Sequence, residues 1–473
     1  MISNPVIDTD AYKITHWKQR PEGVTKFYNY GEPRLGGQHD EICFFGLQYI
    51  IKEYFMKSIT KEDIEKGEQI CRGVFGYGEY FPKEIWEKVR QLGYFPLKIK
   101  TVKEGTVLPT SNVCFTCEST EPWFADMVSH FEDYLMWCWY STAVATRTFN
   151  IKLGIAPSFE KSSDFVNLDY AVNDFGLRGG AFKEAAAIGG MGHLVNFRGT
   201  DNIPAIYNMD HYYGETIGES VWATEHSVAT VWGKDREIDY VKAQLLRSDP
   251  NSTVSIVIDS YDSDNFIKNV IGHPEIKQII MARPGRVVCR PDSGEPLRNV
   301  VKYSEMLGDI FGYSINQKGY KVIKENVGII QGDGMTETSI PSLYSEYIKT
   351  GWSASNVITG SGGGLLTEGL TRDTDRWAIK ASYVEINGEP VDVRKTPKTD
   401  MTKQSKSGLL KLHKSGHAFS TISSTKDGID NHYTDELVTI FENGELKFDQ
   451  KFSDVRETAR KAFERRKALN ELK

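Results

Sequence analysis

Short apolar runs rich in β-branched residues, each stopping abruptly in polar residues, dominate the middle and later part of this chain. Four are TVSIVIDSYD (253–262), RVVCRPDSG (286–294), VGIIQGDGM (327–335) and NVITGSGGGLL (356–366). An uninterrupted apolar run of strand length fits a strand covered on both faces. Between the runs lie NFIKNVIGHPEIKQIIM (265–281), EPLRNVVKYSEMLGDIF (295–311) and IPSLYSEYIKTGW (340–352), whose apolar residues recur at three- and four-residue steps and predict helices. Weaker strand–helix units precede them: NLDYAVNDFGLRGG (167–180) before AFKEAAAIGGMGHLV, then NFRGTD (196–201), then ESVWATEHS (219–227) before VATVWGKDREIDYVKAQLL. Strands alternating with helices predict parallel βαβ units. Roughly seven units lie between 165 and 370, so the expected fold is α/β, an irregular (β/α) barrel that an eighth unit would complete.

The flanks follow a different pattern. PLKIKTVKEGTVLPTSNVCFTCES (96–119) and AIKASYVEINGEPVDVRK (378–395) alternate like antiparallel strands, and Asn387-Gly388 is a hairpin signal. They predict a second, mostly antiparallel α+β domain built from both chain flanks, 1–150 plus 378–473, around a barrel domain at 151–377. The segment 453–473 predicts a charged terminal helix.

Composition narrows the class. Of 473 residues, 40% are hydrophobic and 26% charged, which is ordinary for a globular chain, and the net charge of −7 argues against a nucleic-acid partner. The six cysteines are too sparse for a disulfide framework. MISNPVIDTDAYK lacks the basic and apolar regions of a signal peptide, and no apolar run reaches the ~18 residues of a membrane span. The expected setting is the cytoplasm, with no membrane partner.

In a βα barrel, functional groups gather at the carboxyl ends of the strands. The polar endings here are Asp174, Phe175, Arg178, Asp201, Glu225, His226, Asp259, Asp262, Arg290, Asp292, Asp333 and the glycines 362–364. The glycines of GSGGGLL suit either a phosphate held by free backbone N–H groups or a plain tight turn. In RPDSG, Arg290 can grip a phosphate or a carbonyl oxygen while Asp292, two residues on and facing the same way, can hold ribose hydroxyls or magnesium; the bland alternative is a salt bridge capping the strand. His226 is a candidate base, metal ligand or phosphate acceptor, or a buried structural histidine. CFTC (114–117) invites a redox reading, but no second CxxC follows and the segment alternates like a strand.

These motifs occur in the order found in the nicotinamide phosphoribosyltransferases, within the wider nicotinate phosphoribosyltransferase group, which the chain closely resembles. The likeness runs through DTDAYKITHWKQ (8–19), FYNYGEPR (27–34), DFGLRG (174–179), HLVNFRGTD (193–201), TEHS (224–227), DSYD (259–262), RPDSG, QGDG (331–334), GSGGGLL and LTRD (370–373). It implies phosphoribosyl transfer from phosphoribosyl pyrophosphate (PRPP) to nicotinamide, with ATP as co-substrate, magnesium and a homodimer. His226 resembles the histidine that ATP phosphorylates, with Asp259 as its orienting partner. Phe175 and Tyr12 resemble the rings on the two faces of the base, Tyr12 coming from the second subunit with Asp10 nearby. Asp201 and Arg290 resemble the groups that hold the carboxamide, and Asp292 a ribose ligand. Arg178, Gly332, Asp333, Gly363 and Gly364 resemble the ribose-phosphate cradle. Arg34, Arg372 and Lys380, joined by Lys403 and Lys406, resemble phosphate-binding groups from across the dimer interface. Magnesium would arrive on phosphates, with Asp259 and Asp292 as its candidate protein ligands.

Leu177 and the short stretch RLGGQHDEICFFG depart from vertebrate relatives. Two other readings stay open: a nicotinate phosphoribosyltransferase, and a non-catalytic binding protein on the same scaffold. Asp201 bears on the first, because a carboxylate accepts from an amide NH2 and repels an acid.

Overall fold

The four apolar runs become Val254–Val257, Val287–Arg290, Val327–Gln331 and Val357–Ser361, neighbours in one parallel sheet. The computed structural model describes residues 3–324, 326–396, 404–423 and 433–471. Val172–Asp174 joins one side of this sheet, with Ser361 opposite Asp174, and Trp222–Ala223 joins the other, with Trp222 opposite Val254. Two single parallel bridges, Asp174 to Thr200 and Gly199 to Glu219, carry the circuit from the first of these edges to the other. The six strands and the bridged Gly199–Thr200 make seven positions among the described residues, where the sequence left room for an eighth. The strands are covered on both faces: Val254, Ile256, Val287 and Ile329 on one and Val257 and Val288 on the other are all buried.

The structure departs from the expected elements in two places. The stretch 265–281 is not one helix. A π-helical segment, Phe266–Ile271, gives way to a separate helix, Pro274–Ala282. The ring of Pro274 disfavours helical backbone at His273, whose ψ is 133°. The segment 219–227 yields only a two-residue strand, because a helix, His226–Trp232, begins at once.

The chain divides into two compact units, 147–210 with 216–368 and 463–473, and 1–146 with 211–215 and 369–462. Against the boundaries at 150 and 377 expected from sequence, the division falls earlier, after 146 and after 368, and places 211–215 in the flanking unit. It also gives the end of the terminal helix, Phe452–Glu471, to the barrel unit. The second unit holds a seven-stranded sheet in which Val24–Glu32 lies between Phe115–Ser119 and Ala378–Ile386, so both flanks do build it. Asn387 and Gly388 have φ of 53° and 83°, the paired positive values of a two-residue hairpin turn, and join Ala378–Ile386 to Glu389–Asp392.

Candidate active site

Parallel strands bring their carboxyl ends to one rim, and here that rim surrounds a cavity of about 910 Å³ within the barrel unit. Its floor is built on glycine. The Phe175 N–H donates to the Ser361 carbonyl at 2.9 Å, which draws the ring across the neighbouring strands. A Cβ at Gly360 would stand 2.0 Å from the Phe175 ring and one at Gly332 3.4 Å from it. Glycine at 360 is thus what lets the ring lie flat against the sheet. Gly360→Ala is expected to cost about 1–3 kcal/mol by overpacking. The double variant with Phe175→Leu should recover most of that loss, as read by thermal unfolding.

Beneath Phe175, the fully buried Asp174 accepts from the Gly176 N–H at 2.7 Å and from Asn202 at 3.0 Å. Burial pushes its carboxyl up to about 6, against the pull of those donors. A raised carboxyl stabilises the fold below its unfolded value of about 4, and that contribution is lost as pH climbs to about 6. The shift corresponds to about 3 kcal/mol. Asp174→Asn should therefore gain on the parent protein across that window and keep a constant difference above it, measured by denaturant unfolding at stepped pH.

On the opposite wall Thr224, Arg290 and Asp292 line the cavity and belong to a connected polar network that continues behind them to Asp259 and His226, which are not among the lining residues. Arg290 reaches Asp292 Oδ1 at 3.2 Å and donates to the Thr224 carbonyl at 3.0 Å. The Asp292 N–H and the Ser293 hydroxyl donate to Asp259 Oδ2 at 2.8 and 2.5 Å. His226 Nε2 stands 3.6 Å from Asp259 Oδ1 and 3.5 Å from Asp292 Oδ2, and its Nδ1 is 3.0 Å from Ser260 Oγ. The His226 side chain is 43% exposed, so a ligand can reach it. A histidine held on one nitrogen and flanked by carboxylates on the other is placed to accept or shuttle a charged group.

On the remaining side, Ser220 donates to Asp201 Oδ1 at 2.6 Å, which orients the Asp201 carboxylate. Arg178, Gly332, Asp333, Gly363 and Gly364 line the cavity, as does Glu225. Asp262 does not join them: its side chain accepts from Asn265 N at 2.9 Å and caps a short helix.

Sequence reasoning missed Ser220, Ser255 and Arg147. Ser255 lines the cavity with a buried hydroxyl that has no hydrogen-bond partner. Its signal was its place in an otherwise apolar strand. Arg147 lies in the long helix Cys138–Ser162, where nothing in the sequence separates it from a surface arginine.

Asp10, Tyr12, Arg34, Arg372 and Lys380 belong to the other unit. Tyr12 is 58% exposed, beside Asp10, whose N–H donates to Asp133. Burial lowers the Lys380 ammonium despite Glu132, and Arg34, Lys395 and Arg372 push it down further, which describes a gathered basic patch. Lys406 is already ion-paired with Glu32, and Lys403 lies outside the described residues.

Among the described residues, no cluster of three or more His, Cys, Asp or Glu side chains could hold a metal alone. The carboxylates of Asp259 and Asp292 do fit a magnesium ion that arrives on phosphates, since that ion takes few protein ligands and Asp259 Oδ1 is buried without a hydrogen bond.

Comparison with known proteins agrees with this architecture. The chain is 37% identical over 464 residues to the nicotinamide phosphoribosyltransferase of Xanthomonas campestris pv. campestris, covering 96% of this chain and 98% of the relative. It is 30% identical over 493 residues to that of Acinetobacter baylyi, covering 96% of each. Its fold is similar to the crystal structure of nicotinate-nucleotide pyrophosphorylase from Pyrococcus furiosus, with a TM-score of 0.62 at 14% identity over 97% of this chain and 95% of that one. It is also similar to human nicotinic acid phosphoribosyltransferase, with a TM-score of 0.56 at 13% identity over 97% and 94%. Residues 4–99 match the nicotinamide phosphoribosyltransferase N-terminal domain. Residues 170–445 match the nicotinate phosphoribosyltransferase (NAPRTase) family, and the chain belongs to that family.

Proposed function

We propose that this enzyme joins nicotinamide to the ribose phosphate of PRPP in NAD salvage, releasing pyrophosphate, and that ATP hydrolysis drives the transfer through a phosphorylated His226. The observation that carries the reading is one rim holding a ring on a glycine floor, an oriented carboxylate at Asp201, an arginine at 290 and two glycine loops.

The chemistry explains why such a set is useful. A bond forms between the pyridine nitrogen and the anomeric carbon while the bond from that carbon to pyrophosphate breaks. Positive charge develops on the sugar and negative charge on the leaving group. Fixed donors and cations aimed at those charges lower the barrier. Phe175 would hold the base by stacking, so that its nitrogen stays in line with the carbon. Asp201 would accept from the carboxamide NH2, and Arg290 and the unpartnered Ser255 hydroxyl would meet its oxygen. Asp292 would take ribose hydroxyls. Arg178, Gly332, Asp333, Gly363 and Gly364 would surround the ribose phosphate. Magnesium, when bound, neutralises phosphate charge, and Asp292 and Asp259 would hold it. Asp259 would also orient His226.

In this reading the enzyme is a cytoplasmic homodimer. Tyr12 and Asp10 of a second subunit close over the base, and Arg34, Arg372 and Lys380 reach its phosphates. The basic patch around Lys380 supports that part.

The test is product formation from PRPP with nicotinamide and, separately, with nicotinate, each with and without ATP and magnesium. Turnover of nicotinamide, raised by ATP, is expected. Turnover of nicotinate instead would overturn the base-pocket assignment, and turnover of neither would favour a binding protein.

A further inference from the structure

The glycines 362–364 line the cavity at the start of a short helical turn, Gly363–Leu366, and have no side chains of their own to lock its shape. Glycine places little restriction on its own backbone, so the restraint has to come from elsewhere. Thr367 holds the start of the run, its hydroxyl donating to the Gly363 carbonyl at 2.9 Å, and a second side chain holds the rest. Arg147, 6% exposed and within the same unit, donates to the carbonyls of Gly364 at 2.9 Å, Leu365 at 3.0 Å and Glu368 at 2.8 Å. Its Nε also faces Glu337 Oε2 at 3.5 Å. Glu337 closes the other glycine loop, 332–337, and Asn150, one turn along the same helix, donates to Glu337 Oε1 at 3.2 Å. The two loops touch directly through the Ser361 hydroxyl, which donates to the Met335 carbonyl at 2.5 Å.

We infer that Arg147 is a positioning residue that sets the geometry of both phosphate-facing loops from behind, without touching substrate. The inference rests on the functional reading above, in which these loops hold the PRPP phosphates. A fan of donors to three carbonyls beside an ion-paired carboxylate needs the planar guanidinium, and a lysine ammonium keeps the charge but cannot span them. Capture of the Gly364 carbonyl fixes the peptide that follows it, and so removes the freedom that glycine alone would leave.

Arg147→Lys and Arg147→Ala are the variants to compare with the parent protein. Both are expected to raise the KM for PRPP by about ten- to a hundredfold while the KM for nicotinamide moves less than about twofold. Millimolar guanidinium should restore part of the lost PRPP affinity in Arg147→Ala and none in Arg147→Lys. Equal changes in both KM values, or a lowered melting temperature with both KM values unchanged, would reduce Arg147 to a packing role and overturn the inference. If the parent protein does not use PRPP at all, the functional reading fails on its own. The loop geometry is then tested by calorimetric titration of inorganic phosphate, where unchanged affinity in Arg147→Ala overturns the inference and weakened affinity supports it.

Discussion

His226→Ala is expected to abolish ATP stimulation of product formation while a slow, ATP-independent transfer survives. In the proposed coupling the imidazole is the nucleophile toward ATP: Nδ1 is held by Ser260, and Nε2 faces Asp259 and Asp292 at 3.6 and 3.5 Å. Removing a nucleophile from a site of this kind costs about a thousandfold or more in the step it performs. Phe175 and Asp201, proposed to hold the base, are untouched, so nicotinamide binding should persist. Two measurements check this. One is ADP release on mixing with ATP, and the other is alkali-stable, acid-labile phosphate on the protein, the signature of a phosphohistidine. Asp259→Asn should retain some of both, because it removes orientation and charge but leaves the nucleophile. Stimulation by ATP that survives in His226→Ala would sink the coupling proposal.

Much of this site was legible because a parallel barrel turns strand endings into a rim. Asp174, Arg290 and Asp292 stand out in the sequence simply as the polar residues that stop apolar runs, and Phe175 as the ring beside the first of them. Asp262 satisfied the same rule and failed, because an aspartate ahead of a helix is as good a cap as a ligand, and here it caps. The hairpin at Asn387-Gly388 was legible because its turn demands residues tolerant of positive φ. The break at His273 was legible in principle from Pro274, but the apolar periodicity on either side outweighed it in the reading. Strands as short as Trp222–Ala223, or reduced to the single bridges of Gly199 and Thr200, carry too few residues for any period to register. Arg147 and Ser220 escaped for a different reason. Their roles depend on which carbonyl or carboxylate the fold sets opposite them, and no local pattern encodes that.

Gly360 and Phe175 show how the two kinds of information combine. The sequence offered a glycine run and read it as a phosphate loop or a turn. The structure gives the first glycine of that run a separate task, as floor for the aromatic ring of Phe175, which lies far earlier in the chain just after another strand. One short motif therefore packs against the Phe175 ring at one end and lines the cavity with glycine at the other. That economy makes the segment intolerant of any side chain at 360, while Gly362 meets only the Phe175 carbonyl at 3.7 Å.

Asp201→Asn is expected to lower the ratio of kcat/KM for nicotinamide over nicotinate by about a hundredfold, equivalent to about 2.7 kcal/mol. Ser220 occupies Asp201 Oδ1 at 2.6 Å, so the second oxygen is the one free to accept from a carboxamide NH2. A nicotinate carboxylate brought to the same place would meet a like charge, which costs several kcal/mol when partly desolvated. Asparagine removes the charge and can turn its own NH2 toward an acid, so the penalty on nicotinate disappears while the nicotinamide contact becomes only weaker. Most of the change should therefore appear as gained nicotinate turnover rather than lost nicotinamide turnover. Ser220→Ala separates charge from orientation: it leaves the carboxylate in place, so nicotinate should stay excluded while nicotinamide KM rises modestly. Steady-state kinetics of both variants with both bases decide the matter. An unchanged ratio in Asp201→Asn would show that another group excludes the acid, and an equal fall for both bases would make Asp201 a positioning group with no part in selection.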